Sequence, residues 1–348
     1  MDTKHLMGIA LALTTAVVAC SAQSDDGSGD GAGGDVGTTE GKWDAESVDN
    51  EHASTHLWIV NRGIDLLAKH PELPIAKGAV AFMNDANCRK NWQQGLLDAD
   101  FKAIYNNGRS DLKLGSNDAE VALSGATWES HFFDADTGKN YKGASSATAM
   151  TEAESHLSRS MEDGAGRLAS GNAKSCYELG LALHYYTDMT QPMHAVNFTA
   201  VMHPAKLHSN LEGYAMEIQD RYPLHVWSGA PSGEIHDFIM KTAKDSKALW
   251  LPGVKAVVGA YNKRKWDHGV MCRDIDANPL RFIERQHIDY RVCWEGDPDV
   301  DAAVGTTLTS AQDHTAGFIY LVAAKALGAA NPVDATPTQD PAAAGAAE

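Results

Sequence analysis

The sequence predicts an all-α fold, one multi-helix domain, on three observations. Apolar residues recur with helical spacing over 55–67, in an Ala-rich pattern across 145–183, and again over 234–262. No run alternates apolar and polar residues as a half-buried strand does. Two His/carboxylate pairs stand four residues apart, His184 with Asp188 and His208 with Glu212. Such pairs share a face when their segments are helical.

Residues 1–20 read as an export signal, with Lys4 ahead of the apolar run Met7–Ala19. That run is too short to span a membrane. Val17-Val18-Ala19-Cys20 is similar to a bacterial lipoprotein processing site, which would leave Cys20 lipidated. An ordinary secretory signal with a chance Cys explains the same residues equally well. Residues 21–42 are Gly, Ser and Asp-rich and read as a flexible spacer or propeptide. The main domain is expected over 43–329, and 330–348 read as a disordered tail.

The first expected helix starts near Thr55, with Ser54 or Thr55 as its cap and Leu57, Ile59, Val60, Ile64, Leu66 and Leu67 as its apolar face. Residues 102–120 read as a loop. The helix carrying His184 and Asp188 should bend or end at Pro192, which places His194 just beyond it. Residues 263–303 are polar and read as an insertion, and a last helix is expected from Ser310.

The 348 residues, 43% of them hydrophobic, suffice for a sizeable core. The net charge is −17, and −13 remains after the −4 of residues 1–42 is removed. That balance opposes nucleic acid as a partner, since phosphate backbones require basic surfaces. Beyond Cys20 the cysteines are Cys88, Cys176, Cys272 and Cys293, enough for two disulfides in an exported chain. Cys272 with Cys293 is the expected pair, because both lie in one polar stretch. Pairing of Cys88 with Cys176 is left open by the sequence.

The densest chemistry lies in 184–212, where His184, Asp188, His194, His208 and Glu212 are candidate metal ligands. Imidazole with carboxylate suits zinc. One such pair arises often on a solvated helix face; two pairs with a third His between them point to metal.

The run H-Y-x-x-D-x-x-Q-P-M-H-A-x-N-F from His184 to Phe198, followed by H-S-x-x-E from His208 to Glu212, resembles the bacterial zinc-dependent phospholipase C family. Three more segments carry the resemblance. Trp43 is followed thirteen positions later by His56 and L-W-I-V-N-R. G-L-L-D-A-D-F at 95–101 holds Asp100, with Asp98 as its neighbouring alternative, and W-E-S-H-F-F-D at 128–134 holds His131.

The resemblance implies an all-helical domain with three zinc ions per chain. Asp100, His131, His184 and Asp188 would hold one, and His194, His208 and Glu212 a second. His56 and Trp43 would hold the third, with Asp188 bridging. Trp43 would ligate through its α-amino group and carbonyl, which requires a cut between Lys42 and Trp43 because an amide nitrogen has no free lone pair. Asp100 would be the general base, and Glu46, Phe101 and Trp128 would surround a choline headgroup.

The implied reaction is hydrolysis of the glycerol-side phosphodiester of phospholipids such as phosphatidylcholine, by zinc-activated water, to diacylglycerol and a phosphorylated headgroup. The expected partner is phospholipid at a membrane or micelle surface, with no nucleic acid. The chain is expected to be a monomer, secreted, and lipid-anchored before cleavage if Cys20 is modified. A related single-strand nuclease shares the trinuclear arrangement. Glu212 in place of Asp, the short His194–His208 gap, the long Trp43–His56 gap and the acidic charge oppose it. A non-catalytic zinc-binding surface lipoprotein is opposed by nine filled ligand positions.

Overall fold

Helix starts are set by side chains that accept from the first free backbone N–H groups. A computed structural model describes residues 47–100, 128–198, 205–263 and 291–328. Ser54 accepts from Leu57 N and opens α1 (Thr55–Ala68). Pro74 stands in the first turn of α2 (Pro74–Met83), where its missing N–H costs nothing. Asp85 accepts from Asn87 N and Cys88 N to start α3 (Ala86–Asp98). Thr148 and Thr151 form a reciprocal cap on α4 (Ala149–Ser160). After the short α5 (Ala165–Ala169), Asn172 caps α6 (Ala173–Asp188) through Ser175 N.

Gln191, followed by Pro192, opens α7 (Pro192–Ala195). Then come α8 (Ala205–Ile218), α9 (Ile235–Lys263) and α10 (Pro298–Ala326). Among the described residues there is one isolated bridge, Asp134 with Lys139, and no strand.

The centre of the molecule is α6, buried on every face from Ser175 to Asp188. Helices α3 and α4 pack against it, α10 pairs with α1, and α9 lies along α10. The α3–α6 contact is close because both helices carry glycine there. A Cβ on Gly95 would stand 2.2 Å from Tyr177 O, and one on Gly180 would stand 2.1 Å from Trp92 O. A Cys88–Cys176 disulfide fastens the same pair of helices, Cα to Cα 5.1 Å. Trp92 is fully buried beside it and donates its ring N–H to Met83 O at 2.9 Å.

Several sequence expectations meet the structure directly. The start of α1 at Thr55, the break before Pro192 and the span of α9 agree closely with the pattern. The last helix begins at Pro298, twelve residues ahead of the expected Ser310. Asp297 caps it and Pro298 fills its first turn, so part of the expected insertion is helix. Cys293 and Trp294 are fully buried, and Cys293 is disulfide-bonded. Cys272, the export signal, the spacer, the 102–120 loop and the tail lie outside the described residues. No described helix is long and apolar enough to cross a membrane.

Candidate active site

Six elements deliver the candidate ligands. The last turns of α6 carry His184 and Asp188, one helical turn apart. Pro192 ends that run and starts α7, which turns His194 back toward α6. The first turns of α8 present His208 and Glu212. His56 is the second residue of α1, Asp100 stands just past α3, and His131 closes the short turn Trp128–His131.

Eight side chains therefore converge in three groups, each with candidate ligating atoms within 4.8 Å of one another. His56, Asp100 and His184 make one; His131, His184 and Asp188 a second; His194, His208 and Glu212 a third. Asp188 lies between them. Its Oδ2 is 2.8 Å from His131 Nδ1 and 3.6 Å from His184 Nε2, and its Oδ1 is 3.6 Å from His56 Nε2. Glu212 Oε1 is 2.8 Å from His208 Nε2 and 3.2 Å from His194 Nε2.

The rings are held from behind. Nδ1–H of His184 donates to Leu96 O at 2.7 Å, that of His194 to His131 O at 2.6 Å, and that of His208 to Phe198 O at 2.7 Å. Thr187 Oγ gives its proton to the Leu183 or His184 carbonyl, both 2.9 Å away, and so accepts from His56 Nδ1–H at 2.6 Å. Each of these four imidazoles turns Nε2, with its lone pair, toward a carboxylate. This outer layer fixes tautomer and ring direction as metal-ligand histidines require. Gln191 adds a further hold. Its Oε1 accepts from Met193 N and His194 N, while its Nε2 donates to Glu212 Oε1 at 3.1 Å.

Electrostatics point the same way. Burial works against ionising the three carboxylates, yet the facing imidazoles outweigh it. Asp100 and Asp188 are held below the ordinary carboxylate range, and Glu212 is pulled down to about 2. Burial likewise disfavours charge on His184, but Asp100 and Asp188 push its pKa up to about 9. Burial and the neighbouring His184 drop His56 to about 3. Buried anions in such number need cations opposite them. Neutral Nε2 and carboxylate oxygen at this spacing are a donor set that fits zinc, with metal charge in place of imidazolium protons.

Asp100 and Asp98 have separate roles. Asp98 accepts from Gln94 Nε2 at 2.6 Å and from Tyr177 Oη at 2.9 Å, tying α3 to α6. Asp100 faces His184 Nε2 at 3.4 Å and His131 Nδ1 at 3.9 Å. Trp43, Glu46 and Phe101 lie outside the described residues, as does the Trp128 side chain. Sequence reasoning missed the orienting groups. Thr187 and Gln191 sit inside the quoted motif, but the carbonyls of Leu96, His131 and Phe198 have no side-chain signature. It also left open the Cys88–Cys176 bond.

An all-helical scaffold that gathers these imidazoles and carboxylates defines a candidate multi-metal hydrolase centre. No family model matches the chain. A Bacillus cereus phospholipase C is 27% identical over 287 residues, covering 80% of this chain and 84% of that protein. A Listeria monocytogenes phospholipase C is 30% identical over 229 residues, covering 64% of this chain and 69% of that protein. Among solved structures, the alpha toxin from Clostridium absonum superposes with a TM-score of 0.51 at 18% identity. The match takes in 81% of this chain, which spans 65% of the toxin's length, and shows a shared fold. The chain belongs to the bacterial phospholipase C family, and it is a hydrolase of that class.

Proposed function

We propose that the eight converging side chains, joined by the amine and carbonyl of Trp43 at a cleaved N-terminus, hold three zinc ions and hydrolyse the glycerol-side phosphodiester of phospholipids such as phosphatidylcholine. The observation that carries this reading is the triple grouping of His and carboxylate around Asp188, with four of the five rings oriented from behind. When bound, zinc in these groups would supply Lewis-acid neutralisation of the phosphodiester oxygens and acidify a water.

The chain's own residues do the rest. Asp188 offers one oxygen toward His56 and the other toward His131, which suits a bridging carboxylate. Asp100 has 11% of its side chain exposed, against 2% for Asp188. It is the more accessible of the two carboxylates, and in this reading it accepts a hydrogen bond from the attacking water. A carboxyl held so far below its ordinary range stays ionised, so Asp100 orients that water more than it removes a proton. The leaving group is diacylglycerol. Glu46, Phe101 and Trp128 form the headgroup box of this reading, an anionic and aromatic receptor for a quaternary ammonium.

The protein is proposed to act outside the cell on phospholipid at a membrane or micelle surface, as a monomer. The test is an assay of protein beginning at Trp43 on phosphatidylcholine micelles, beside single-stranded DNA, with and without chelator. Chelator-sensitive release of diacylglycerol and phosphocholine supports the reading. Release of phosphatidic acid, or cleavage of DNA alone, overturns it.

A further inference from the structure

Beside the candidate site lies an apolar slot between α8, α9 and α10. Gln191, Met193 and Leu207 close its inner end and are buried; Trp250, Gly253 and Val304 at its outer end are only partly so. The slot and the site share walls. Met193 and Leu207 directly precede His194 and His208, and Gln191 donates to Glu212 at 3.1 Å. The Trp250 ring packs 4.8 Å from that of Phe198, whose carbonyl holds His208.

The rim has its own character. Leu251 is 43% exposed, one of the few large apolar side chains open to water among the described residues. Lys244, Ala248, Pro252 and Lys255 are exposed with it, three or four residues apart along one stripe of α9. In a chain of net charge −17, this helix carries five Lys (241, 244, 247, 255, 263) against Asp237 and Asp245, a net +3. Lys241, Lys247 and Lys263 are paired to carboxylates. Lys244 makes no contact ion pair among the described residues, although its charge reaches Asp136, Lys255 has no acidic partner among them, and the two flank Leu251. The slot's two polar side chains, Gln191 and Thr307, are bonded to Glu212 and to the Ala303 carbonyl, and a lining otherwise almost wholly apolar recognises alkyl chain. A rim of Trp and Leu between lysines suits the headgroup layer above that chain, where indole rings and ammonium groups sit well.

We infer that this slot receives an acyl chain of a phospholipid in the lipid surface on which the enzyme works, with Trp250 and Leu251 seated among the headgroups. The inference rests on the phospholipase reading above and names where the substrate surface meets the protein. It places the glyceride side of the substrate against α9, one wall away from the His194, His208 and Glu212 group.

Gly253 supplies the test. A Cβ there meets nothing within 4 Å, so a side chain can leave the backbone freely and the Gly253→Phe ring is directed to occupy the slot; the change also removes a helix-interior glycine. Turnover of dibutanoyl phosphatidylcholine monomers is compared with turnover of long-chain phosphatidylcholine vesicles. The vesicle-to-monomer ratio should fall about tenfold in Gly253→Phe and in Leu251→Glu, since several apolar contacts to the chain are lost. In parallel, phosphatidylcholine brominated on its acyl chains is mixed with wild type and Trp250→Phe, and quenching is read in the first seconds. Trp250 should account for a quenched component that Gly253→Phe abolishes. An unchanged ratio in both variants, or an unquenched Trp250, overturns the slot. Wild type that hydrolyses neither lipid overturns the phospholipase reading instead, and the quenching arm, which needs no turnover, still decides the slot.

Discussion

The α3–α6 half of the candidate site and its α7–α8 half hold their side chains by different means. In the first, Asp100, His131, His184 and Asp188 come from three separate stretches of chain. They are fixed by packing: a glycine-to-backbone approach, a disulfide and a helix buried on all faces. In the second, His194, His208 and Glu212 lie within nineteen residues, and α7 is a single turn. Met193, His194 and Ala195 are buried and α7 packs on α9, while hydrogen bonds aim the side chains, from Gln191 and to the carbonyls of His131 and Phe198. Candidate ligands in both halves have polar partners, His184 at Leu96 O as well as His194 and His208 at carbonyls, and the α3–α6 half adds a disulfide and a glycine-to-backbone approach.

Asp188 spans the two halves, coming 3.5 Å from His194 as well as facing His131 and His56. Asp188→Asn should lower kcat/KM on phosphatidylcholine by about 10²–10³-fold and reduce bound metal at more than one position. Full metal content with that loss would show that Asp188 serves only one half. Glu46→Ala should cost less and should alter KM and headgroup preference first.

Removing the disulfide strikes only the packed half. Cys88→Ser with Cys176→Ser opens a loop of 88 residues, and chain entropy puts the loss at about 4.6 kcal/mol of unfolding free energy. Urea titration reads it, and metal affinity of the α7–α8 group should hardly move. Gln191→Leu strikes the other half. It should weaken metal binding at one group by about 10–100-fold in chelator competition. Lost capping should cost about 1 kcal/mol of stability. Uniform weakening at all groups would mean that the halves are not independent.

The smallest effect is expected at Thr187. Thr187→Val keeps shape but leaves His56 Nδ1–H without its acceptor, a loss of about 1 kcal/mol or slightly more. Thr187→Ser should restore zinc affinity, and equal affinity in both variants would show that the hydroxyl orients nothing.

Much of this was legible in the sequence for physical reasons. Ser54 before an apolar periodic run announces α1, and the i,i+4 pairs at 184/188 and 208/212 announce two ligand faces. The early start of α10 was overlooked because Thr, Asp and Ala dilute residues 298–309; Asp297 and Pro298, with Val300, Val304 and Leu308 spaced four apart, were the available signal. The Cys88–Cys176 bond was hidden because spacing along a chain says nothing of distance across a helix pair. Asp98 and Asp100 could be told apart only once Tyr177 and Gln94 were seen to claim the former.

The continuous burial of α6 has a consequence in time. Amides enclosed on every side exchange with solvent only when the domain opens as a whole, while helix ends and loops exchange through local fraying. The backbone in the middle of α6, up to His184, should thus be among the slowest of the described residues to take up deuterium. His184, a candidate ligand, rides on the most enclosed helix among the described residues, and local fraying elsewhere should leave its position untouched.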